Sequence, residues 1–345
     1  MILIQQIGLN LVKFVRVKKS LDIDRLITLI EKTKGPYENK LLKLMSIRQK
    51  ELEKDTKWNL YLRATPIYYK IINNKSIIKL ESISTVIRGF TTGANEFFLL
   101  DKRKVKSWGL KSKYLKSALS SPRDIKKISF DKNDVKEYMF VCHKPKKEIK
   151  SKNVLKYIEA GEEKRYNKRP TVSNRKLWYD LGKREQAPIL LPRLSWERFM
   201  FVWNKVKCIP NNIFYEITPK NKKDIVVLLG ILNSSFSTLI AELNGRSYGG
   251  GVLEIAVYEL KKFPIPNPSK LTSKERKNIE NSFLALVDAQ NKGNKKAEEK
   301  ARKDLDNAVF DILGLTRKER EEIYKALEEA KGIRVKRREK EVLVK

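Results

Sequence analysis

The residues able to do chemistry in this sequence are few in kind. The single histidine, His143, lies in the basic run VCHKPKK, which leaves a histidine-based mechanism or a metal cluster without companions. The two cysteines, Cys142 and Cys208, are far apart in apolar or mixed surroundings and read as buried thiols, not as a disulfide framework or zinc site. Acidic pairs such as Asp131 with Asp134 and Glu162 with Glu163 are of the type that holds magnesium. No lysine follows them closely on a strand, as a nuclease centre requires, so independent nuclease activity is not expected.

What remains is binding chemistry. Residues 144–176 hold 12 Lys and Arg against four Glu, with Tyr157, Tyr166, Trp178 and Tyr179 within or beside them. Arg165, Arg169, Arg175, Arg184, Arg193 and Arg198 recur through a stretch that also contains Trp and Asn. A planar guanidinium pairs bidentately with guanine or with phosphate, whereas a lysine in such a run often does no more than keep the surface soluble. Two glycine-rich segments add backbone that another molecule can approach closely. GFTTGANEFF offers Thr91, Thr92 and Asn95 in a turn, and GRSYGGG offers Arg246 and Tyr248. Neither is a Walker loop or a dinucleotide fingerprint, since no Gly-Lys-Ser/Thr follows and a helical pattern precedes the second. Read structurally, that second segment is a tight turn between a buried helix and the next strand.

The composition favours a polyanion as the partner. The 345 residues carry 75 Lys and Arg against 41 Asp and Glu, a net charge of +34, and the apolar share of 41% suffices for real cores. The longest uninterrupted apolar run, residues 225–232, is far below the roughly 20 residues of a membrane span. The N-terminal stretch lacks the basic cluster and small-residue cleavage site of a secretory signal, so a cytoplasmic protein is expected.

These side chains must be positioned by the surrounding elements. Residues 9–62 alternate apolar runs with basic, helix-favouring stretches and read as a strand followed by helices. From 83 to 264, β-branched and aromatic runs separated by Gly, Pro and Asn indicate a mixed unit with much β structure. Residues 222–243 interrupt it with apolar residues on nearly every turn, the pattern of one buried helix. FPIPNPS carries prolines 264, 266 and 268 and reads as a linker. Beyond it, Thr272 with Glu275 and Thr316 with Glu319 have capping-box spacing, opening helices that Gly293 and Gly332 are expected to close. Leu305, Val309 and Ile312, followed by Gly314, supply a further helix. The expected fold is α+β. Residues 1–80 form a helical N-terminal segment, 81–268 a β-rich domain with inserted helices, and 269–345 a helical domain. Its basic string RVKRREK is expected to fray or to lie along DNA.

Taken in order, several blocks resemble one family. They are Trp58 with Tyr61, Leu62, Arg63 and Pro66; RGFTTGANEFF; RPTVSNRKLWYDL; APILLPRLSWERF; NNIFYEI; LLGILNSSF; NGRSYGGGVLEIAVYEL; FPIPNP; and LDNAVFDILGLTRKEREEIY. The chain is similar to the C-terminal part, with a TaqI-like specificity domain, of adenine-specific DNA methyltransferases of type II restriction-modification systems. The resemblance implies that residues 81–268 are a target recognition domain for duplex DNA. The residues expected at the DNA are Thr91, Thr92, Asn95, Lys164, Arg165, Arg169, Asn174, Arg175, Trp178, Arg184, Arg193, Arg246 and Tyr248.

The family's methyl-transfer chemistry needs a glycine-rich loop for S-adenosylmethionine and an Asn/Asp-Pro-Pro-Tyr/Phe segment around the flipped base. None of the 12 prolines here adjoins another, so no catalytic residue, cofactor or metal is assigned to this chain. S-adenosylmethionine is expected on a missing catalytic domain, of which residues 1–57 resemble the trailing end. The expected partners are double-stranded DNA and a separate catalytic chain docking on residues 4–17. The competing reading is a free-standing nucleic-acid-binding module or an inactive remnant. No RNP-like string supports a common RNA module.

Overall fold

A computed structural model describes residues 5–6, 11–19, 22–33, 35, 37–49, 52, 57–58, 60–196, 199–248 and 251–342. The chain opens with β1 (Gln5–Gln6), β2 (Leu11–Val17), α1 (Ile23–Lys32), β3 (Tyr37–Glu38) and β4 (Leu42–Arg48), an antiparallel sheet in the order β1-β2-β4-β3 with α1 packed on it. The helical segment expected over residues 1–80 is therefore sheet in its first half. The reason is period-two alternation: Val15 and its partner Leu44 face Leu26 and Ile30 of α1, while Phe14 points to the other face and stacks on Tyr61 at 4.8 Å. Lys13, on the α1 face, reaches the free carbonyls at the end of that helix, Ile30 O at 2.6 Å and Glu31 O at 3.2 Å.

The strand expected to dock a catalytic chain pairs along its whole length with β4, is also paired with β1 at Leu11 and Val12, and carries a buried Phe14. Ile4, Ile7 and Leu9 of that expectation lie outside the described residues.

Next come α2 (Leu60–Arg63), α3 (Pro66–Ile72), β5 (Ile77–Lys79), α4 (Leu80–Ile83) and β6 (Ser84–Arg88). A unit built from α5 (Asn95–Phe98), β7 (Leu99–Asp101), α6 (Lys102–Ser107), β8 (Leu115–Leu119), β9 (Glu137–Phe140), α7 (Lys152–Glu163) and α8 (Pro170–Ser173) follows. The chain then returns through β10 (Ile189–Pro192), β11 (Leu194–Ser195), β12 (Val202–Trp203), β13 (Ile209–Pro210) and β14 (Phe214–Pro219) to α9 (Ile225–Leu232) and α10 (Ser235–Asn244). The hairpin β15 (Arg246–Tyr248) and β16 (Val252–Glu254), then α11 (Val257–Lys261) and β17 (Pro264–Pro266), lead into α12 (Ser273–Asn291), α13 (Lys295–Ile312) and α14 (Arg317–Val342).

The central sheet, β12-β10-β14-β6, is antiparallel throughout. One face, with Val86, Ile189, Leu191, Tyr215 and Ile217, packs against the helical layer. The opposite face, with Leu190, Val202 and Phe214, covers a second core with Phe130 and Cys208. A third core, around Phe97, Phe98, Phe140 and Tyr157, holds the sheet β13-β8-β9-β7 against α7. The α+β fold class holds.

The helix expected over 222–243 is two helices, α9 and α10, bent by 72° at Asn233–Ser234. Asn233 causes the break, its amide donating to Leu229 O and Phe201 O at 2.9 Å while its carbonyl accepts from Phe201 N at 3.1 Å. Ser234 then caps α10. Both helices are buried within the core, and no single described helix is long and apolar enough to cross a membrane.

Both expected capping boxes form, at Thr272 with Glu275 and at Thr316 with Glu319. Gly293 and Gly314 end α12 and α13 in left-handed backbone, but α14 runs on through Gly332 to Val342. The first residue of the basic string, Arg334, is buried, not frayed, and pairs with Glu242 of α10 through two bonds of 3.0 and 2.8 Å. FPIPNPS is not a linker either. Pro264–Pro266 pairs with Ile77–Lys79, and Ile265, which has the N–H its flanking prolines lack, lies opposite Ile78 at the middle of this two-stranded ribbon, wholly buried.

Ile279, Phe283, Leu305, Val309, Phe310 and Ile323 of the tail share one core with Leu228, Leu232 and Phe236. The sequence boundary at 268 therefore does not separate two cores. Glu242→Ala should strand Arg334 as a buried unpaired charge and cost about 3–5 kcal/mol. In urea, far-ultraviolet circular dichroism and tryptophan fluorescence should report one shared transition, displaced in the variant. A separate transition for the tail helices would contradict the shared core.

Candidate nucleic-acid interface

The central sheet decides where the candidate residues go. Strands β6 and β10 both run antiparallel to β14, so their C-terminal ends lie at the same end of the sheet. The turn at residues 89–95 leaves from the end of β6, and Arg193 leads from the end of β10 into β11. Arg88 pairs with Tyr215, Pro192 with Phe214, and Arg193 N donates to Ile213 O at 2.8 Å. Two groups of predicted residues thus start from one end of the sheet.

The first group joins the motifs RGFTTGANEFF and RPTVSNRKLWYDL. The Thr92 hydroxyl bonds to Asn95 Oδ1 and accepts from Ala94 N at 3.3 Å, building the turn from which α5 starts. Gly93, at φ +74°, lies against α8, where a Cβ would come within 2.6 Å of Val172 Cγ2. Gly89 is held as closely, since its Cβ would collide with Asn211 O. Arg169 clamps the junction, donating to Gly93 O at 3.3 Å and forking onto Glu96 at 2.9 and 3.3 Å. That guanidinium holds the Glu96 carboxyl below the usual carboxylate range. Arg175 donates to Thr91 O at 2.8 Å. Trp178 sets its ring at a tilt against Phe97, centroids 4.5 Å apart, and donates its indole N–H to Glu162 at 2.9 Å.

Arg184 lies over the Phe90 ring at 3.7 Å and pairs with Glu216, a carboxylate on β14 in the second core. Burial raises the Glu216 pKa and lowers that of Arg184. These four residues, predicted to meet DNA, are therefore largely occupied in holding the motifs together. Thr91, Asn95, Lys164, Arg165 and Asn174 remain exposed. Lys164 and Arg165 follow the last turn of α7, Arg165 in left-handed backbone, and neither has an acidic partner among the described residues. Lys104, whose amine bonds to Glu96 O, has its pKa lowered by burial and then by the neighbouring charge of Lys164.

The second group is carried by the small sheet β11-β16-β15. In the GRSYGGG segment Gly245 links α10 to β15, and Arg246–Tyr248 pairs antiparallel with Val252–Glu254; Gly249 and Gly250 lie outside the described residues. Arg193 pairs with Glu254 at 2.6 Å, and the Tyr248 hydroxyl donates to the same carboxylate. The Tyr248 bond, with Arg193, lowers the Glu254 pKa. Arg246 pairs with Glu259 at 3.3 Å and bonds to the Tyr258 hydroxyl, and Lys57 joins Glu259 at 2.6 Å. The rings of Tyr248, Tyr258 and Trp196 stay open to solvent. Arg198 lies outside the described residues.

The sequence reading missed the acids Glu96, Glu216, Glu254 and Glu259, and weighed Glu162 only as half of an acidic pair, whereas it binds Lys146 and Trp178. Their signal was present, since Glu216 in IFYEI and Glu254 in VLEI each sit inside an apolar strand, where a carboxylate needs a cationic partner. His143, isolated in sequence, meets Asp180 at 2.6 Å, and Asp180 also accepts from Gly182 N at 2.7 Å, so this contact joins two loops. Among the described residues no three of His, Cys, Asp and Glu are grouped to hold a metal ion.

Residues 52–309 match the family model of the C-terminal domain of the type II methyltransferase M.Eco57I. The type II methyltransferase M.AccI of Acinetobacter calcoaceticus is 27% identical over 295 residues, covering 80% of this chain and 52% of that protein. The chain thus spans about half the length of the curated relative it matches. The type IIL restriction-modification enzyme MmeI, solved in complex with DNA, superposes with a TM-score of 0.50 at 14% identity, over 93% of this chain and 50% of that one. The type IIG restriction endonuclease BpuSI gives a TM-score of 0.49 at 15% identity, over 87% and 40%. At such identities the likeness to MmeI is one of fold. The match over three quarters of the sequence decides the family: this chain belongs with the C-terminal domains of type II methyltransferases typified by M.Eco57I.

Proposed function

We propose that the chain is the DNA-reading unit of an adenine-specific DNA methyltransferase of a restriction-modification system, acting in the cytoplasm on duplex DNA. The observation that carries this reading is the pair of unpaired cations after α7. Lys164 and Arg165 form no ion pair among the described residues, and Lys164 bears on the charge of Lys104. They adjoin a turn that arginine clamps hold rigid. Fixed side chains on a locked turn suit readout of base edges, and free cations beside them suit phosphates. Thr91, Asn95 and Asn174 supply the polar groups on this surface, and Tyr248 with Arg246 supplies a second contact at the same end of the sheet.

Methyl transfer is assigned to a catalytic domain outside these residues, on a separate chain or a further part of the same protein. The residues present do not fit S-adenosylmethionine. Gly89 and Gly93 are filled by Asn211, Thr171 and Val172, and Gly245 backs onto Leu253, so these glycines leave no cradle for a cofactor. No methyl-transfer step is derived from them. Calorimetry of this chain with S-adenosylmethionine should be silent, and heat of binding at a single site would overturn that assignment.

Contact with about six phosphates should give a log-log salt slope of binding near −5, read by fluorescence anisotropy with duplex DNA. Arg165→Ala should reduce the magnitude of that slope by about 1 without lowering the unfolding temperature. Arg169→Ala, which opens the clamp, should lower the unfolding temperature. A flat salt response, or an Arg165 variant that binds as the parent does, would count against the reading.

A further inference from the structure

Among the described residues, two other than glycine adopt left-handed backbone, and both are cationic: Arg165 at φ +57° and Lys207 at φ +55°. A residue with a Cβ is disfavoured there, and glycine or asparagine would adopt it more readily. Arg165 belongs to the interface already described, but Lys207 does not. Lys207 closes a turn that Asn204 builds, its amide donating to Ala187 O at 2.9 Å and Cys208 O at 3.0 Å while its carbonyl accepts from Cys208 N at 2.8 Å. The Lys207 side chain is exposed and has no partner among the described residues. Strain kept under a free charged side chain points to a use for that side chain.

This turn lies at the opposite end of the central sheet from the first interface. Trp203 pairs with Ile189 at the start of β10, and Asn204 N donates to Pro188 O at 2.8 Å, whereas Arg193 leaves from the other end of that strand. Residues 128–130 are stitched to the turn, with Trp203 N donating to Ile128 O at 2.8 Å and Phe130 N to Trp203 O at 3.2 Å. Ile128 N is fixed in turn by Gln290 of α12, at 3.0 Å. Beside this seam is an open depression of about 210 Å³ bordered by Lys126, Lys127, Ser129, Asn133, Asp134 and Lys136. Residues 126–136 and 203–208 together hold six lysines and two aspartates, a net charge of +4. The aspartates are engaged by their own turn, Asp134 accepting from Asp131 N at 2.9 Å and Asp131 from Asn133 N at 2.7 Å.

We infer that this lysine-lined end of the sheet is a second phosphate-backbone surface, which holds a segment of duplex DNA other than the one read at the first interface. The inference rests on the proposal that the chain binds DNA. Lysines without arginine forks neutralise phosphates and read no bases. A single strand would need open aromatic rings for its bases, and here Phe130 is buried while Lys205 covers Trp203 at 4.0 Å. The longest strand of the sheet, β14, spans about 20 Å, so a straight duplex on one end does not reach round to the other.

The test is the stoichiometry of a short duplex on the full chain, measured at physiological salt by analytical ultracentrifugation. Two duplexes per chain are expected. The triple variant Lys127→Glu, Lys205→Glu, Lys207→Glu should bind one, while the charge-matched control Lys274→Glu, Lys277→Glu, Lys303→Glu should still bind two. Lys207→Gly should raise the unfolding temperature yet weaken the second binding event severalfold, a combination that a purely structural lysine would not give. One duplex on the parent chain, equal loss in the control, or preference of this surface for single strands would overturn the second surface and leave the first standing. Absence of any duplex binding would overturn the DNA reading itself.

Discussion

The position of the second contact group depends on one buried carboxylate. Glu242, at the end of α10 and 1% exposed, receives both forks of Arg334 from the tail helix. The remaining amino group of Arg334 donates to Gly251 O at 2.5 Å and to Trp196 O, while Arg63 of α2 donates to Glu242 O at 2.8 Å. Two charges taken from water cost several kcal/mol each unless every donor and acceptor is satisfied, and here the guanidinium is bonded along both edges. Trp196 directly follows β11 and Gly251 precedes β16. The pair therefore fixes the small sheet that carries Arg193, Arg246 and Tyr248, and the tail helices become part of the apparatus that sets this surface.

The same economy recurs across the candidate interface. Arg169, Arg175 and Arg184 each join segments more than thirty residues apart, through Gly93 and Glu96, through Thr91, and through Glu216. An arginine with five donors in a rigid plane holds a loop more firmly than a lysine does. Under the proposed function, recognition would fall to the side chains left over: the exposed threonine and asparagines, Lys164 and Arg165. Residues that look alike in the sequence thus differ in whether they are tied into the scaffold.

How much was legible follows from range. Local signals held: the capping boxes at Thr272 and Thr316 need only residues three apart, and Gly293 and Gly314 mark helix ends by backbone conformation alone. Signals that depend on distant partners misled. Pro264 and Pro266 of FPIPNP lie in an edge strand because β5, nearly two hundred residues earlier, lies alongside. Arg334 is buried because Glu242 lies ninety-two residues earlier in the chain. The apolar pattern over 222–243 spells helix by periodicity, but its break is set by Asn233 bonding to Phe201. At the candidate site, the motifs RGFTTGANEFF and RPTVSNRKLWYDL do meet in space, and of the acids that occupy its arginines Glu216 and Glu254 could be found by their place inside apolar strands.

The central claim is that duplex DNA is gripped where β6 and β10 end and α7 closes. Amide hydrogen exchange with and without a specific duplex tests it most directly, because it reports the contact surface without altering a residue. Protection is expected at residues 89–98, 164–178 and 246–248, with the helices of the tail core unchanged. Protection confined to α12 and α13 or to the N-terminal sheet, with residues 89–98 and 164–178 exchanging as in the free chain, would contradict the account.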